Sequence, residues 1–259
     1  MKGATLQTIK FEVADGIGWL LLNRPDRMNG MTNRMLIETH DCLATVAERT
    51  DVRVVVLTGE GRGFCPGADL KHYAAGEPDV ASSPHHFRVP VLLHEMPQVT
   101  IAAINGPCAG AGLGWACACD FRFAADVATF NTAFLNVASA GDMGGPWTLP
   151  RILGAAKARE LYFLPEKFGA KDALQWGLVS RVFEAVNLRS EVGAIAARLA
   201  AAPPHALREM KRNFLDAERL EFGSYIAEET QRHITVMAHH DAKEAFRAFV
   251  EKRAPRFGR

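Results

Sequence analysis

The apolar residues in the first sixty positions form runs of three kinds. Residues 8–23, TIKFEVADGIGWLLLN, hold two apolar runs on either side of Asp15-Gly16, which predicts two strands joined by a tight turn. In residues 32–48 the apolar positions recur at helical spacing after the capping residue Thr32, so a helix is predicted there. The run RVVVLTG at 53–59 is apolar and β-branched, which is typical of a strand covered on both faces.

Strands and helices continue to alternate as far as about residue 186, which predicts an α/β core with crossover connections. Residues 76–84, GEPDVASSP, lack this periodicity and predict a mobile loop. A helix is predicted before this loop, at 68–75. A short helix, a strand at 98–104, a helix at 110–119 and a strand at 120–124 are predicted after it.

From residue 187 the pattern becomes almost wholly helical, interrupted by Pro203-Pro204. The chain therefore divides into a predicted core over 1–186 and a helical C-terminal region over 187–259. A helical region that follows an α/β core often packs against another subunit, so we expect it to support oligomerisation.

Composition excludes several classes of protein. The 259 residues suit one sizeable domain, and a net charge of +1 gives no overall field that favours nucleic acid or an anionic membrane. Residues 96–119 carry no charge and are long enough to suggest a membrane span. Pro97 and the turn signal NGP at 105–107 interrupt this segment, which favours a buried strand, a turn and a buried helix.

The five cysteines form no CxxC pair, and no histidine lies near them at zinc-ligand spacing. We therefore expect reduced thiols in the core and no metal site. Residues 1–16 lack an apolar signal-peptide core. The reduced cysteines and the lack of this core together predict a cytoplasmic protein.

Two glycine-rich turns, GRGFCPGAD at 61–69 and INGPCAGAGLG at 104–114, each follow a predicted strand and open a helix. The first N–H groups of a helix lack intrahelical partners, and small residues let a ligand oxygen approach them. Neither turn is a phosphate-binding P-loop, because no Gly-Lys-Ser/Thr follows. The pattern fits either an oxyanion hole built from two N–H groups or close backbone packing.

A third glycine-rich stretch, SAGDMGGPW at 139–147, contains one carboxylate, Asp142. Asp and Gly are ordinary turn formers, so Asp142 is a turn residue or a group that transfers a proton. Met143, Pro146 and Trp147 would surround it with apolar atoms, which raises the basicity of a carboxylate.

Six segments together resemble the crotonase superfamily, the enoyl-CoA hydratases and isomerases. The resemblance implies a spiral of ββα units with a C-terminal helical region that builds trimers, often paired into hexamers. The segments are LLNRPDRMNGMT, GRGFCPGADL, AAINGPCAGAGLG, DFRFAADVATF, DALQWGLVSRV and AFVEKRAPRF, in this order.

The resemblance also implies the ligand, an acyl-CoA thioester. Its carbonyl oxygen would accept hydrogen bonds from the N–H groups of Ala68 and Ala111, and Asp69 would be a structural carboxylate at a helix start. Coenzyme A is then part of the substrate, and no separate cofactor is expected. The positions implied for CoA contact are Arg27, Met28, Ala68, Asp69, Leu70, Phe249 and Lys252.

The reaction is indicated by a departure from the family pattern. Hydratases of this family use two glutamates, and here those positions are Gly114 and Phe134. Asp142 lies where isomerase-type members carry an aspartate and where some dehalogenase-like members carry a nucleophile. The acyl pocket is expected to include His72, Tyr73, Gly114, Phe134 and Trp147, with His85 and His86 nearby.

The favoured interpretation is an enoyl-CoA isomerase with Asp142 as its single acid–base group. A hydratase, hydrolase or dehalogenase that uses the same oxyanion hole remains an alternative. A second alternative is an acyl-CoA-binding module without catalysis, which the missing glutamates suggest.

Overall fold

The computed structural model describes residues 6–258, and their strands form two sheets. The larger sheet has six strands in the order β1-β2-β3-β4-β6-β9, and the smaller one has the order β5-β7-β8. The strands are β1 (Ile9–Ala14), β2 (Ile17–Leu22), β3 (Val54–Gly59), β4 (Val99–Ile104), β5 (Cys108–Ala109), β6 (Phe121–Ala125), β7 (Thr129–Asn131), β8 (Phe168–Gly169) and β9 (Arg181–Phe183).

The large sheet is parallel except at one edge. Strands β1 and β2 pair antiparallel across the Asp15-Gly16 turn, and both turn residues have positive φ. Every residue of β3 and β4 is buried, as expected for parallel strands covered on both faces. The predicted hairpin and the predicted buried strand at 53–59 are therefore confirmed.

The helices cover the sheet and extend beyond it. Thr32 caps α1 by accepting a hydrogen bond from the Met35 N–H, as the sequence predicts. The helices are α1 (Asn33–Ala47), α2 (Leu70–Ala74), α3 (Val89–Glu95), α4 (Ala111–Ala118), α5 (Gly145–Leu153), α6 (Ala155–Phe163), α7 (Ala170–Gln175), α8 (Leu188–Ala200), α9 (Pro204–Ala217), α10 (Phe222–Ala238) and α11 (His240–Val250).

Two apolar clusters lie on opposite faces of the large sheet. One contains residues of α1, α3 and α4, and the other contains Leu188, Val192, Ala196 and Ala200 of α8. The predicted boundary after residue 186 thus falls just before a helix that completes the core. Helices α9 to α11 follow and expose several large apolar side chains, among them Phe214, Phe222, Phe246, Phe249 and Val250.

The uncharged segment 96–119 forms β4, the NGP turn, β5 and α4, in agreement with the prediction for this segment. Within residues 6–258, none of the helices combines the length and the apolar character that a membrane span requires. All five cysteines are buried and unpaired, as predicted for thiols that pack in a core. Burial raises the pKa of the Cys65 thiol to about 12, so it stays protonated at neutral pH.

Candidate active site

The two glycine-rich turns pack directly against each other at the ends of β3 and β4. A Cβ atom on Gly106 would lie 2.1 Å from the Arg62 carbonyl oxygen, and one on Gly112 would lie 2.2 Å from the Cys65 carbonyl oxygen. These contacts are with backbone atoms, which cannot rotate away. Glycine at both positions is therefore required for packing, one of the two roles that the sequence suggests.

The turns also place two free N–H groups beside each other. Ala68 and Ala111 line the same cavity, and a Cβ atom on Gly67 would lie only 3.5 Å from the Ala111 nitrogen. Within residues 6–258, neither N–H donates a hydrogen bond to a protein acceptor. Ala111 is the first residue of α4, where a free N–H is expected. An anionic oxygen in this cavity would accept hydrogen bonds from both N–H groups.

The cavity has a volume of about 230 Å³ and an apolar lining. Leu70, Tyr73 and Phe134, which the sequence predicts for the ligand site, are on its wall. Further lining residues that the prediction missed are Met31, Leu36, Phe87 and Val137. They come from three separate segments, so only the folded chain brings them together.

Asp142 lies on the wall of this cavity and has no fixed partner. Its Oδ1 atom is buried, and no protein group among residues 6–258 hydrogen-bonds to it. Burial raises the pKa of Asp142, because a buried carboxylate loses the hydration that stabilises its charge. A carboxylate of this kind is a better proton acceptor than one in water.

Phe134 shapes the wall next to Asp142. Its ring stacks on Tyr162 at 5.9 Å between centroids, and a Cβ atom on Gly141 would lie 3.5 Å from the Tyr162 ring. The position that the resemblance assigns to a hydratase glutamate therefore holds an aromatic ring supported by a second ring. No signal in the sequence indicates Tyr162.

Trp147 and Gly114 do not line the cavity, in contrast to the prediction. Trp147 is 42% exposed and lies beside His94 and Arg151 along a different cavity, because α5 has turned away by this residue. Gly114 is buried against Met143. Met143 itself is on the cavity wall.

His72 is also absent from the wall, although its neighbour Tyr73 is there. The His72 ring is buried, with Nδ1 3.0 Å from a Glu77 oxygen and Nε2 3.5 Å from an Asp79 oxygen. Asp79 in turn accepts the Asn33 N–H at the start of α1. These contacts attach Glu77 and Asp79, in the segment predicted as a mobile loop, to α1 and α2, so the His72 ring has structural contacts here.

His85 and His86 lie in a short 3-10 helix and cluster with His40. The His40 and His85 ring centroids are 4.3 Å apart, and those of His40 and His86 are 5.5 Å apart. Neither His85 nor His86 lines the cavity; Phe87, the next residue, does. The sequence thus indicates that this segment lies near the acyl pocket, but it does not indicate that Phe87 is the residue that lines it.

The RPDRMN loop is attached to the first glycine-rich turn through Asn29. The buried Asn29 amide donates to the carbonyl oxygens of Glu60 and Gly63, at 3.0 and 2.8 Å, and its oxygen accepts the Arg24 N–H at 2.8 Å. A Cβ atom on Gly63 would lie 2.9 Å from the Met28 methyl carbon. Met28 is therefore held against the turn that leads to Ala68.

Asp69 and Arg27 both form ion pairs near this loop. Asp69 caps α2 by accepting the His72 N–H at 3.0 Å, and it lies 2.8 Å from Arg24. Burial alone would raise the pKa of Asp69, but the His72 N–H and the Arg24 guanidinium together lower it. Asp69 is a structural carboxylate, as expected, while Arg27 pairs with Glu77 at 3.0 Å.

Phe249 and Lys252 lie at the end of α11, away from the cavity wall. Phe249 is 86% exposed, and Lys252 is exposed with a positive φ of 53°. Neighbouring Arg253 forms an ion pair with Glu244, whose pKa it lowers to about 2 by a side-chain hydrogen bond. The structure thus leaves Phe249 and Lys252 accessible to a ligand or to another subunit.

Comparison with known proteins agrees with this geometry. The enoyl-CoA hydratase/isomerase family model matches residues 12–259. The chain is 34% identical to 4-chlorobenzoyl coenzyme A dehalogenase-1 from Arthrobacter sp., over 94% of this chain and 91% of the relative. It is 33% identical to 1,2-epoxyphenylacetyl-CoA isomerase from Escherichia coli (strain K12), over 97% of this chain and 98% of the relative.

The solved structure of an enoyl-CoA hydratase from Bacillus anthracis has the same fold. It superposes with a TM-score of 0.89 at 31% identity, covering 97% of this chain and 99% of that one. The predicted crotonase-like architecture, an α/β core with C-terminal helices, is confirmed by this agreement. From the six ordered motifs, the fold and the family match, the chain belongs to the enoyl-CoA hydratase/isomerase family.

Proposed function

We propose that the protein moves the double bond of an enoyl-CoA with Asp142 as its single acid–base group. The carboxylate removes a proton from carbon 2 of a 3-enoyl thioester, and the electron pair passes to the thioester oxygen. The N–H groups of Ala68 and Ala111 stabilise the resulting dienolate. The protonated Asp142 then returns the proton to carbon 4, which yields the 2-enoyl thioester.

The observation that carries this proposal is the half-buried Asp142 carboxylate, whose buried Oδ1 has no partner within residues 6–258, on the same cavity wall as two free N–H groups. The side chain of a turn residue would accept hydrogen bonds from neighbouring backbone N–H groups, as the Asp69 side chain does at α2. A binding module without catalysis gains nothing from a half-buried carboxylate whose buried oxygen lacks a partner, because such burial is unfavourable.

The cavity lining supports an isomerase more than a hydratase. Among the described residues that line this cavity, Asp142 carries the only carboxylate. Hydration needs groups that activate water and protonate carbon, whereas a proton shuttle needs one base. The implied glutamate positions hold Gly114, buried against Met143, and Phe134, stacked on Tyr162.

Two features support an acyl group that contains an aromatic ring. Tyr73, Phe87 and Phe134 line the cavity, and aromatic rings pack well against one another. Relatives about one-third identical are named for 4-chlorobenzoyl and 1,2-epoxyphenylacetyl thioesters. We extend this substrate class to the present chain.

Three further assignments belong to the same proposal. Coenzyme A enters as part of the substrate, with Arg27, Met28, Leu70, Phe249 and Lys252 as its contacts, and no separate cofactor takes part. The exposed apolar residues of α9 to α11 support assembly into a trimer or hexamer. Sedimentation at micromolar concentration tests the assembly, and a stable monomer would contradict it.

Dehalogenation is a second candidate, favoured by the same unpartnered carboxylate and by the identity with the 4-chlorobenzoyl coenzyme A dehalogenase. Here Asp142 would attack the ring carbon that carries the halogen and form an aryl ester as the halide leaves. Water would then hydrolyse the ester and restore the carboxylate.

A panel of four thioesters separates these reactions. The purified protein is incubated with 3-hexenoyl-CoA, crotonyl-CoA, phenylacetyl-CoA in D₂O and 4-chlorobenzoyl-CoA. The proposal predicts a double-bond shift in the first and deuterium at carbon 2 of phenylacetyl-CoA. Hydration of crotonyl-CoA without either signal would contradict it, and chloride release from 4-chlorobenzoyl-CoA would replace it with the second candidate.

A further inference from the structure

Within residues 6–258, no group hydrogen-bonds to the buried Oδ1 atom of Asp142, so the direction of this carboxylate must be set by the backbone on either side. That backbone is unusual, because Gly141, Met143 and Gly144 all have positive φ, at 104°, 53° and 76°. Methionine seldom adopts such a conformation, so surrounding contacts must hold it. Those contacts come from α4, the helix that also begins with Ala111.

The first contact is between Met143 and Gly114. A Cβ atom on Gly114 would lie 2.6 Å from the Met143 Cβ atom and 2.8 Å from the Met143 carbonyl oxygen. Both atoms belong to the rigid part of Met143, so a change of side-chain rotamer cannot relieve the overlap. Met143 reaches its position only because residue 114 has no side chain.

The second contact is between Met143 and Trp115. The fully buried indole donates its Nε1–H to the Met143 sulfur at 3.3 Å. A buried indole N–H needs an acceptor, and a thioether is a weak but sufficient one. This bond joins the residue directly after Asp142 to the interior of α4.

We infer that Gly114 and Trp115 are positioning residues that hold Met143 and thereby direct the Asp142 carboxylate into the cavity. This inference rests on the proposed role of Asp142 as a base. A glutamate there and Asp142 in its present position are mutually exclusive, because any side chain at 114 displaces Met143.

The primary test is Trp115→Phe, which keeps an aromatic ring and removes the N–H donor. The measurement is deuterium exchange at carbon 2 of phenylacetyl-CoA, as a function of pH, on protein shown to be folded by circular dichroism. We expect kcat to fall roughly 10- to 100-fold with little change in KM, since small displacements of a catalytic group have effects of this size.

The pH profile distinguishes positioning from simple loss of stability. If Met143 moves and water reaches the carboxylate, the pKa of Asp142 falls towards its ordinary value. The acidic limb of the pH profile, the pH range in which exchange declines, then moves to lower pH. A variant that is less stable but keeps the limb and the kcat of wild type would overturn the inference. Trp19→Phe, on β2 and packed against the apolar cluster on the other face of the sheet, is the control and should change neither quantity.

Two further variants keep the test decisive if Trp115→Phe does not fold. Met143→Leu preserves volume and removes the sulfur acceptor, and it should reproduce the lower kcat and the shifted limb. A folded Gly114→Ala protein with wild-type exchange would overturn the steric argument. If Asp142→Asn itself retains exchange, the proposed function fails; if only Asp142→Asn is affected, the positioning inference alone fails.

Discussion

Replacing Ala111 with proline removes one N–H group from the cavity and leaves the surrounding turn nearly unchanged. Ala111 is the first residue of α4, a position where proline is tolerated because its missing N–H has no intrahelical partner. Gly110 precedes it with φ 51° and ψ −125°, the mirror image of an extended conformation, which glycine adopts freely. This backbone conformation lies outside the α region, which proline disfavours in the residue before it.

The expected effect follows from the number of donors. Ala68 and Ala111 supply two N–H groups, and the substitution removes one of them. Loss of one oxyanion-hole donor costs about 2.7–4 kcal/mol of transition-state stabilisation, which corresponds to a roughly 10²- to 10³-fold lower kcat. The proline ring would also occupy space where the thioester oxygen approaches, so the loss should lie towards the upper end of this range.

The assay is double-bond shift of 3-hexenoyl-CoA, with deuterium exchange of phenylacetyl-CoA as a second readout. Ala155→Pro is a matched control, because Ala155 is the first residue of α6 and follows Gly154, which also has positive φ. The control should keep wild-type rates. A folded Ala111→Pro protein with wild-type kcat would refute the oxyanion hole at this turn.

Three other outcomes are expected. Burial raises the pKa of Asp142, and the carboxylate must be ionised to accept a proton. The rate of deuterium exchange should therefore fall with decreasing pH at values above the ordinary aspartate pKa; a fall only within the ordinary aspartate range would contradict this. Asn29→Ala should lower the free energy of unfolding in urea by about 1–3 kcal/mol, since the Glu60 carbonyl and the Arg24 N–H lose the Asn29 amide and the Gly63 carbonyl keeps only the Asn105 amide at 3.2 Å; an unchanged midpoint would contradict this. Lys252→Ala should weaken CoA binding roughly two- to fivefold and dephospho-CoA binding less, whereas equal losses would place Lys252 away from the phosphate.

The sequence predicts the fold well because its local signals agree with the tertiary structure. Residues close in sequence determine three of its features: the hairpin at Asp15-Gly16, the helix capped by Thr32 and the buried strands β3 and β4. The resemblance of six ordered segments adds the arrangement of the core and its helical extension. The role of α8 is less visible in the sequence, because helical periodicity does not show which surface a helix covers.

The candidate site is predictable only in part. Backbone groups such as the Ala68 and Ala111 N–H follow from the turns, because glycine positions determine the local conformation. Side chains that reach the cavity from distant segments, such as Phe87, are not determined by neighbouring residues. Trp147 illustrates the limit, since α5 carries it to another cavity although it is only five residues from Asp142.

The central claim is that Asp142 transfers the proton, and Asp142→Asn tests it most directly. Asparagine keeps the size and much of the turn-forming ability of aspartate but cannot accept the proton. The measurement compares deuterium incorporation at carbon 2 of phenylacetyl-CoA by the variant and by wild type, alongside binding of the same thioester. We predict exchange roughly 10²- to 10⁴-fold slower with binding retained, because the Ala68 and Ala111 N–H groups are unchanged. An Asp142→Asn protein that folds, binds and exchanges at the wild-type rate would contradict the account and leave Asp142 a turn residue.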